Sequence, residues 1–504
     1  MRRGAAFVAA CGLFAFFMSS PHSRLRTEWC PSIPRELMAG AVATFALIPE
    51  VIAFSFVAGV DPAVGLFASF VISVVIAFTG GRPAMVSAAA GSVALVAAPL
   101  VHAHGLPYLL AAGVLAGVMQ ILFGLLRLGV LMRFVSTSVR TGFVNALAIL
   151  IFAAQMPHFI GANTATWAMV GLGLAIIYLL PRITKAVPSP LVCIVVVTLA
   201  GHWLNLPLKT VADLGQLPDA LPAFAWLSVP MSLETLRIIA LPAFAIAMVG
   251  LLESMMTASV VDDLTDTPSS KNRECSGLGI ANVAASFFGG IAGCGMIGQT
   301  VSNVRYGGRG RLSTLFAGAF LLILMVLLKP WVSQVPVAAL VAIMVMVSAS
   351  TFDWGSLRTL VRHPRMSSAV MLATVAVTVA TDNLAAGVAT GVMLSGVFFT
   401  FKVARLLHVH AEAGAGDDGV RVYRVSGQVF FASADMLVDA FDVREIDGAP
   451  VHIDVSQAHF WDVTAVAALN KIVERLRKHG SMVEVSGLNQ ASQDLILRLD
   501  TAPE

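Results

Sequence analysis

Up to about residue 405 the chain is a succession of apolar runs broken by short polar stretches; after it, apolar and polar positions alternate as they do in a soluble domain. A membrane-crossing helix needs about 20 mostly apolar residues, fewer if it is interrupted. On that rule, segments fall near 37–57, 63–79, 86–103, 107–126, 134–156, 165–181, 186–204, 236–260, 275–290, 295–304, 312–329, 336–351, 367–381 and 384–404, about fourteen in all. The third and tenth are too short or too rich in small residues for ordinary spans. Each holds the same place in its half, with seven segments before the long loop at 205–233 and seven after it. Matched interrupted segments are the sequence signature of an inverted repeat with a site at its centre, and an odd number of spans per half makes the halves inverted.

Beyond a Gly/Ala/Asp-rich linker (411–419), Val420–Val425 alternates as a strand, and Val451–Val455 and Met482–Val485 read as further strands. Helical patterns at 434–441, 463–478 and 490–499 lie between and after them, predicting a small α/β domain with a mainly parallel sheet over 420–504. The domain plan is thus an N-terminal segment of uncertain role (1–30), a polytopic α-helical membrane domain (31–410), the linker and the α/β domain. Residues 1–20 resemble a signal-peptide core but lack a good cleavage context, and read as an interfacial or dispensable segment.

Composition supports this reading. Of 504 residues, 57% are hydrophobic and 12% charged, about half the charged share of soluble domains. A net charge of +3 gives no footprint for nucleic acid. Lys and Arg concentrate in alternate loops (Arg82; Arg127 and Arg133; Lys271 and Arg273; Arg305, Arg309 and Arg311; Lys402 and Arg405), which predicts a multi-pass protein of the cytoplasmic membrane with both termini cytosolic. Five scattered cysteines show no metal-ligand spacing and read as small buried thiols.

Glu253 is the most informative position. It lies inside an apolar run of the eighth segment, where an ionised side chain costs roughly 2.5–3.5 kcal/mol and therefore faces water, an ion or a partner. Thr257 shares its helical face at i+4. With backbone carbonyls the pair suits Na⁺, and the acid alone suits H⁺; the residues leave both open. The uncharged stretches Ser87–Ser92, which includes Gly91, and Gly289–Gly298 cannot be simple helix interiors. Two half-helix N-termini pointing at one place would bind an anion through free N–H groups and dipole ends. Glu50, after Pro49 in the first segment, is a further candidate acid. Neither a phosphate loop, a dinucleotide fingerprint nor a nucleophile–base constellation is present, so transport is favoured over catalysis. An anion channel, a nucleobase or dicarboxylate carrier of related architecture, and a membrane-anchored regulator remain alternatives.

Several motifs in fixed order resemble the SulP inorganic-anion transporter family: Glu36–Gly40, Leu47–Glu50, Ala58–Leu66, Gly80–Pro83, Phe287–Gly295 and Asn303–Gly310. The tail, with Gly427–Phe431 and Phe460–Val466, resembles that family's STAS domain. The resemblance implies fourteen segments in a 7+7 inverted repeat, elevator-like movement of a core (segments one to four and eight to eleven) against a gate, a homodimer involving the STAS domain, and no cofactor beyond a coupling ion. In the bicarbonate-transporting branch, a sodium site falls on Glu253 and Thr257, with Gly295 beside them, and anion contacts fall on Ala90, Gly295, Met296 and Ile297. That branch has threonines at the positions of Ala90 and Ile297, and aspartate at that of Glu253. Here the backbone N–H groups, with Ser87 or Ser92, are left to hold the anion, and the longer acid has the reach to serve as a proton carrier, so Na⁺ and H⁺ both stay open. A pocket with so few donors leans towards a monovalent anion.

Overall fold

A computed structural model describes residues 28–29, 31–129, 135–183, 188–214, 222–230, 232–362, 365–413, 420–442 and 448–500. The sequence-predicted N-terminal segment lies outside them except for Glu28 and Trp29. The chain divides into two compact units, Met1–Val392 and Met393–Glu504.

All fourteen expected segments are helical. They are α1 (Ile33–Val57), α2 (Pro62–Thr79), α3 (Gly91–His104), α4 (Leu106–Leu125), α5 (Thr137–Ala153), α6 (Thr164–Ile183), α7 (Ser189–Trp203), α8 (Leu233–Thr265), α9 (Lys271–Phe287), α10 (Ile297–Arg305), α11 (Arg311–Val332), α12 (Val337–Thr351), α13 (Arg365–Thr381) and α14 (Leu384–Ala404). Seven stretches of helix are long and apolar enough to cross a membrane outright, α5 joined with the turn after it; α3 and α10 are not among them.

These helices sort into two bundles by packing. In one, α9 packs on α2 and α4, α11 on α1 and α2, and α8 on α3 and α4. In the other, α13 packs on α5, and α12 on α5 and α6. Small residues drive the first bundle: Gly117 and Gly279 bring the backbones of α4 and α9 into direct contact, leaving no room for a side chain at either position. Polar residues inside it are paired. Gln120 of α4 donates to the Ala247 carbonyl and accepts from Asn282 of α9, and Asn282 also bonds both backbone groups of Gly293. In the second bundle, Asn145 of α5 bonds Ser356 and the Asp353 N–H, fixing the short helix Trp354–Arg362, which hydrophobic patterning had not predicted.

Buried carboxylates fasten the loops that flank the two interrupted helices. Glu36 accepts the N–H groups of Arg309, Gly310 and Ser313, and Glu274 those of Gly81 and Arg82. The Arg82 guanidinium pairs with Asp262 at 3.1 Å and bonds the Thr267 carbonyl. Charge-assisted bonds of this kind are the strong ones, so the loops are held as rigid bodies.

The second unit carries a four-stranded sheet of β3 (His408–Ala413), β4 (Arg421–Val429), β5 (Val451–Phe460) and β6 (Val483–Ser486), in the order β3-β4-β5-β6. In the membrane unit, β1 (Ser87–Ala88) and β2 (Cys294–Gly295) form a short two-stranded ribbon. Strands β4, β5 and β6 are parallel, as the β–α alternation predicts, and β3 joins antiparallel. Helices α15 (Ala434–Asp439), α16 (Val463–Lys478) and α17 (Gln490–Asp500) complete the unit. Asp462 caps α16 by accepting the Ala465 N–H, as expected, and also holds the Phe431 N–H. Residues 411–413, read from sequence as linker, are the end of β3: Val409, Ala411 and Ala413 alternate with His410 and Glu412, and the ladder to Arg421–Tyr423 extends through Ala413. The rest of the sequence-predicted linker lies outside the described residues.

Candidate functional site

The two interrupted segments meet. Ser87–Ala88 (β1) and Cys294–Gly295 (β2) form an antiparallel ribbon, Ser87 opposite Gly295 and Ala88 opposite Cys294. It extends by the Met296 N–H to the Val86 carbonyl, and Thr300 closes it from α10 by accepting the Val86 N–H. The ribbon needs glycine: a Cβ on Gly293 would overlap the Ala88 carbonyl oxygen. Gly289, at φ +74°, turns the chain out of α9 towards it.

From this ribbon α3 and α10 start, with Ala90 and Met296 as their extended N-cap residues. Neither N-cap side chain satisfies the helix end. The first backbone bonds run from Ala94 to Ala90 and from Thr300 to Met296, which leaves the N–H groups of Gly91–Val93 and Ile297–Gln299 outside the helical ladders. Antiparallel strands feeding two helices point those donors and both positive dipole ends at one region.

That region borders a cavity of about 690 Å³. One wall is α1, α3, α8 and α10, contributing Glu50, Gly91, Ser92, Glu253, Met296 and Ile297; the facing wall includes Phe143 of α5 and Met346 of α12. Glu253 is 9% exposed, and the cavity wall includes it, so the acid has a route to water and does not look into lipid. Its carboxylate accepts the Ser92 hydroxyl and, at 3.1 Å, the Cys294 thiol. Thr257 donates to the Glu253 carbonyl and the Gly295 carbonyl, each at 2.9 Å, and Ser254 accepts the Gly295 N–H. Helix α8 is thereby tied to both half-helix starts. The Thr257 hydroxyl and the Gly295 carbonyl are thus oxygen donors beside the backbone of Glu253.

The sequence candidates separate into two groups. Gly91, Ser92, Met296, Ile297, Glu253 and Glu50 line the cavity, and Glu50 stands beside Gln299 of α10. Ser87, Ala90, Thr257 and Gly295 are wholly or almost wholly buried behind that wall. Ser87 belongs to the ribbon, its carbonyl accepting from Ser73 and its own hydroxyl without a partner. Ser92 commits its hydroxyl to Glu253 and the Gln299 side chain pairs with Glu50, so what the two helix starts have left to offer the cavity is chiefly backbone N–H groups. Sequence reasoning had passed over Cys294 as an inert thiol. It is buried, as expected, but in contact with the central acid; only the ribbon register, which no local pattern reveals, brings it there. Arg305 and Ser302, also on the cavity wall, were likewise missed as cavity residues.

Comparison with known proteins places the chain in a family. The profile of the sulfate permease family matches residues 33–170 and 162–374, and the STAS domain profile matches 415–502. The chain is 50% identical to YbaR of Bacillus subtilis, which carries a provisional sulfate-transporter name, over 94% of this chain and 98% of that one. It is 26% identical to the bicarbonate transporter BicA of Picosynechococcus, over 92% and 90% of the two chains. Among solved structures, the transmembrane domain of a cyanobacterial BicA superposes with a TM-score of 0.64 at 27% identity, covering 70% of this chain and 97% of that domain. Murine Slc26a9, an anion transporter solved in the inward-facing state, shares the fold at a TM-score of 0.82 and 18% identity, over 97% and 94% of the chains. The chain therefore belongs to the sulfate permease family and ends in a STAS domain.

Proposed function

We propose that this protein is a secondary transporter that carries a small inorganic anion, bicarbonate or sulfate, across the cytoplasmic membrane in step with Na⁺ or H⁺, and that it is not an enzyme. The observation that carries the reading is the cavity on which two half-helix starts and Glu253 converge. The anion sits against the N–H groups of Gly91–Val93 and Ile297–Gln299. Glu253 balances the charge of the co-transported cation, with Thr257 and Gly295 supplying further oxygens if that cation is Na⁺. The names of YbaR and BicA support the two anions considered. The bundle of α1–α4 and α8–α11 moves as one body against the gate, because the buried carboxylate clamps hold its loops rigidly. Both termini are cytosolic, the cavity opens inward past Arg305 and Pro188, and the STAS domains join two protomers.

Uptake of ¹⁴C-bicarbonate and ³⁵S-sulfate into proteoliposomes under imposed Na⁺ or pH gradients tests this reading. One of the two gradients is expected to drive accumulation of one anion, and Glu253→Gln is expected to abolish the response to the gradient. Coupled uptake unchanged in Glu253→Gln would remove the role given to this acid.

A further inference from the structure

Helix α10 does more than present its N-terminus. One of its faces lines the cavity along the whole helix, with Gly298 in the first turn, Ser302 in the middle and Arg305 in the last. The spacing i, i+4, i+7 places these three on a single stripe. Arg305 is the one Lys or Arg on the cavity wall among the described residues. It is solvent-exposed, and no ion pair among the described residues involves it. Eight residues beyond Ile297, it lies about 12 Å further along the helix axis.

The position answers an electrostatic problem. A helix carries roughly half a positive charge at its N-terminus and half a negative one at its C-terminus. An anion held at the start of α10 and leaving along that helix moves towards the carbonyl end, against the dipole. Glu50 and Glu253 on the same wall add to the opposition whenever they are ionised. A cationic side chain in the last turn offsets the dipole's negative end and attracts an entering anion. Walls of low dielectric focus such a charge down the cavity.

We propose that Arg305 is the anion-recruiting residue at the cytosolic mouth of the cavity, and that Gly298, Ser302 and Arg305 mark the anion's path between that mouth and the half-helix starts. The inference rests on the transport reading above and assigns one side of the path to a single charge. Arg305 does not touch the anion in its central position; it sets how readily the anion reaches that position from the cytosol.

Inside-out membrane vesicles bring the cytosolic face to the labelled anion. Initial rates with ¹⁴C-bicarbonate and ³⁵S-sulfate, measured over a range of ionic strength, test the proposal in wild type, Arg305→Gln and Arg305→Lys. In Arg305→Gln the KM on this face is expected to rise about three- to tenfold at ~20 mM salt and to fall within about twofold of wild type at ~500 mM, as the screening length shrinks from roughly 20 Å to roughly 4 Å. The maximal rate stays near wild type, and Arg305→Lys recovers most of the KM. Equal KM values for Arg305→Gln and wild type at low salt would overturn the proposal while leaving the transport reading intact. So would a rise in KM that ignores salt, or an Arg305→Lys protein that reaches the membrane and is as impaired as Arg305→Gln. If wild type moves neither anion, the transport reading fails first and this inference goes with it.

Discussion

Helices α3 and α10 leave the same two-stranded ribbon, one from each half of the membrane unit, and then diverge in character. Helix α3 runs for fourteen residues, is apolar, and commits the hydroxyl of its first turn, Ser92, to the carboxylate of Glu253. Helix α10 is only nine residues long, is amphipathic, and turns Gly298, Ser302 and Arg305 to the cavity. Inverted repeats supply matching geometry, two helix starts whose first N–H groups lie outside the helical ladders, but the side chains of the two stubs differ. On the proposed reading both offer backbone N–H groups to the anion, but the side chain of the first, Ser92, is spent on locating Glu253. The second lines the cavity along its length and is the surface along which we propose the anion travels. Equivalent positions in the two halves are therefore not interchangeable: the same substitution made in each should fail differently.

Breaking the ribbon removes the contrast altogether and is expected to have the largest effect. Gly293→Val forces side-chain atoms into the Ala88 carbonyl and breaks into the bonds from Asn282; overpacking of this kind typically costs about 1–3 kcal/mol. Uptake should be lost and the melting temperature in detergent should drop; a variant with wild-type melting and transport would show that the ribbon does not hold the two stubs together. Ser92→Ala addresses the anchor alone. A hydrogen bond to a charged group contributes roughly 1.5–3 kcal/mol, so the concentration of coupling cation giving half-maximal uptake should shift by about tenfold or more while the KM for the anion moves less. An anion KM that shifts as much as the cation dependence would mean that the Ser92 hydroxyl serves the anion and not only the acid, and that the division of labour is wrong.

The sequence made the scaffold readable because each feature has a local cause. Apolar run length marks a span, basic loops mark a side, and small residues in matched places mark an interruption. All fourteen helices follow from these signals, as do the parallel strands of the STAS domain. What escaped depends on partners far along the chain. The ribbon between residues 87–88 and 294–295 is two pairs long, too short to leave an alternating pattern. The thiol of Cys294 gains meaning only because that register turns it to Glu253. The last three residues of β3, 411–413, read as linker because alanine and glutamate carry little strand propensity, and the partner β4 supplies what the local sequence lacks. For the site the balance was similar: Glu253 announces itself by its cost in an apolar run, whereas Arg305 reads as an ordinary basic loop residue until the cavity is seen to pass it.

The central claim is that backbone N–H groups at the start of α10 hold the anion, and proline can remove one of them without removing the helix. Ile297 is the first residue of α10, where proline is well tolerated, and the extended backbone of Met296 suits a following proline. The decisive measurement is equilibrium binding of the transported labelled anion to purified wild type and Ile297→Pro, with the melting temperature of both proteins as a check on folding. Loss of one donor to a charged ligand is expected to weaken binding about ten- to a hundredfold in a protein that melts like wild type. An Ile297→Pro protein that melts normally and binds the anion as tightly as wild type would contradict the account.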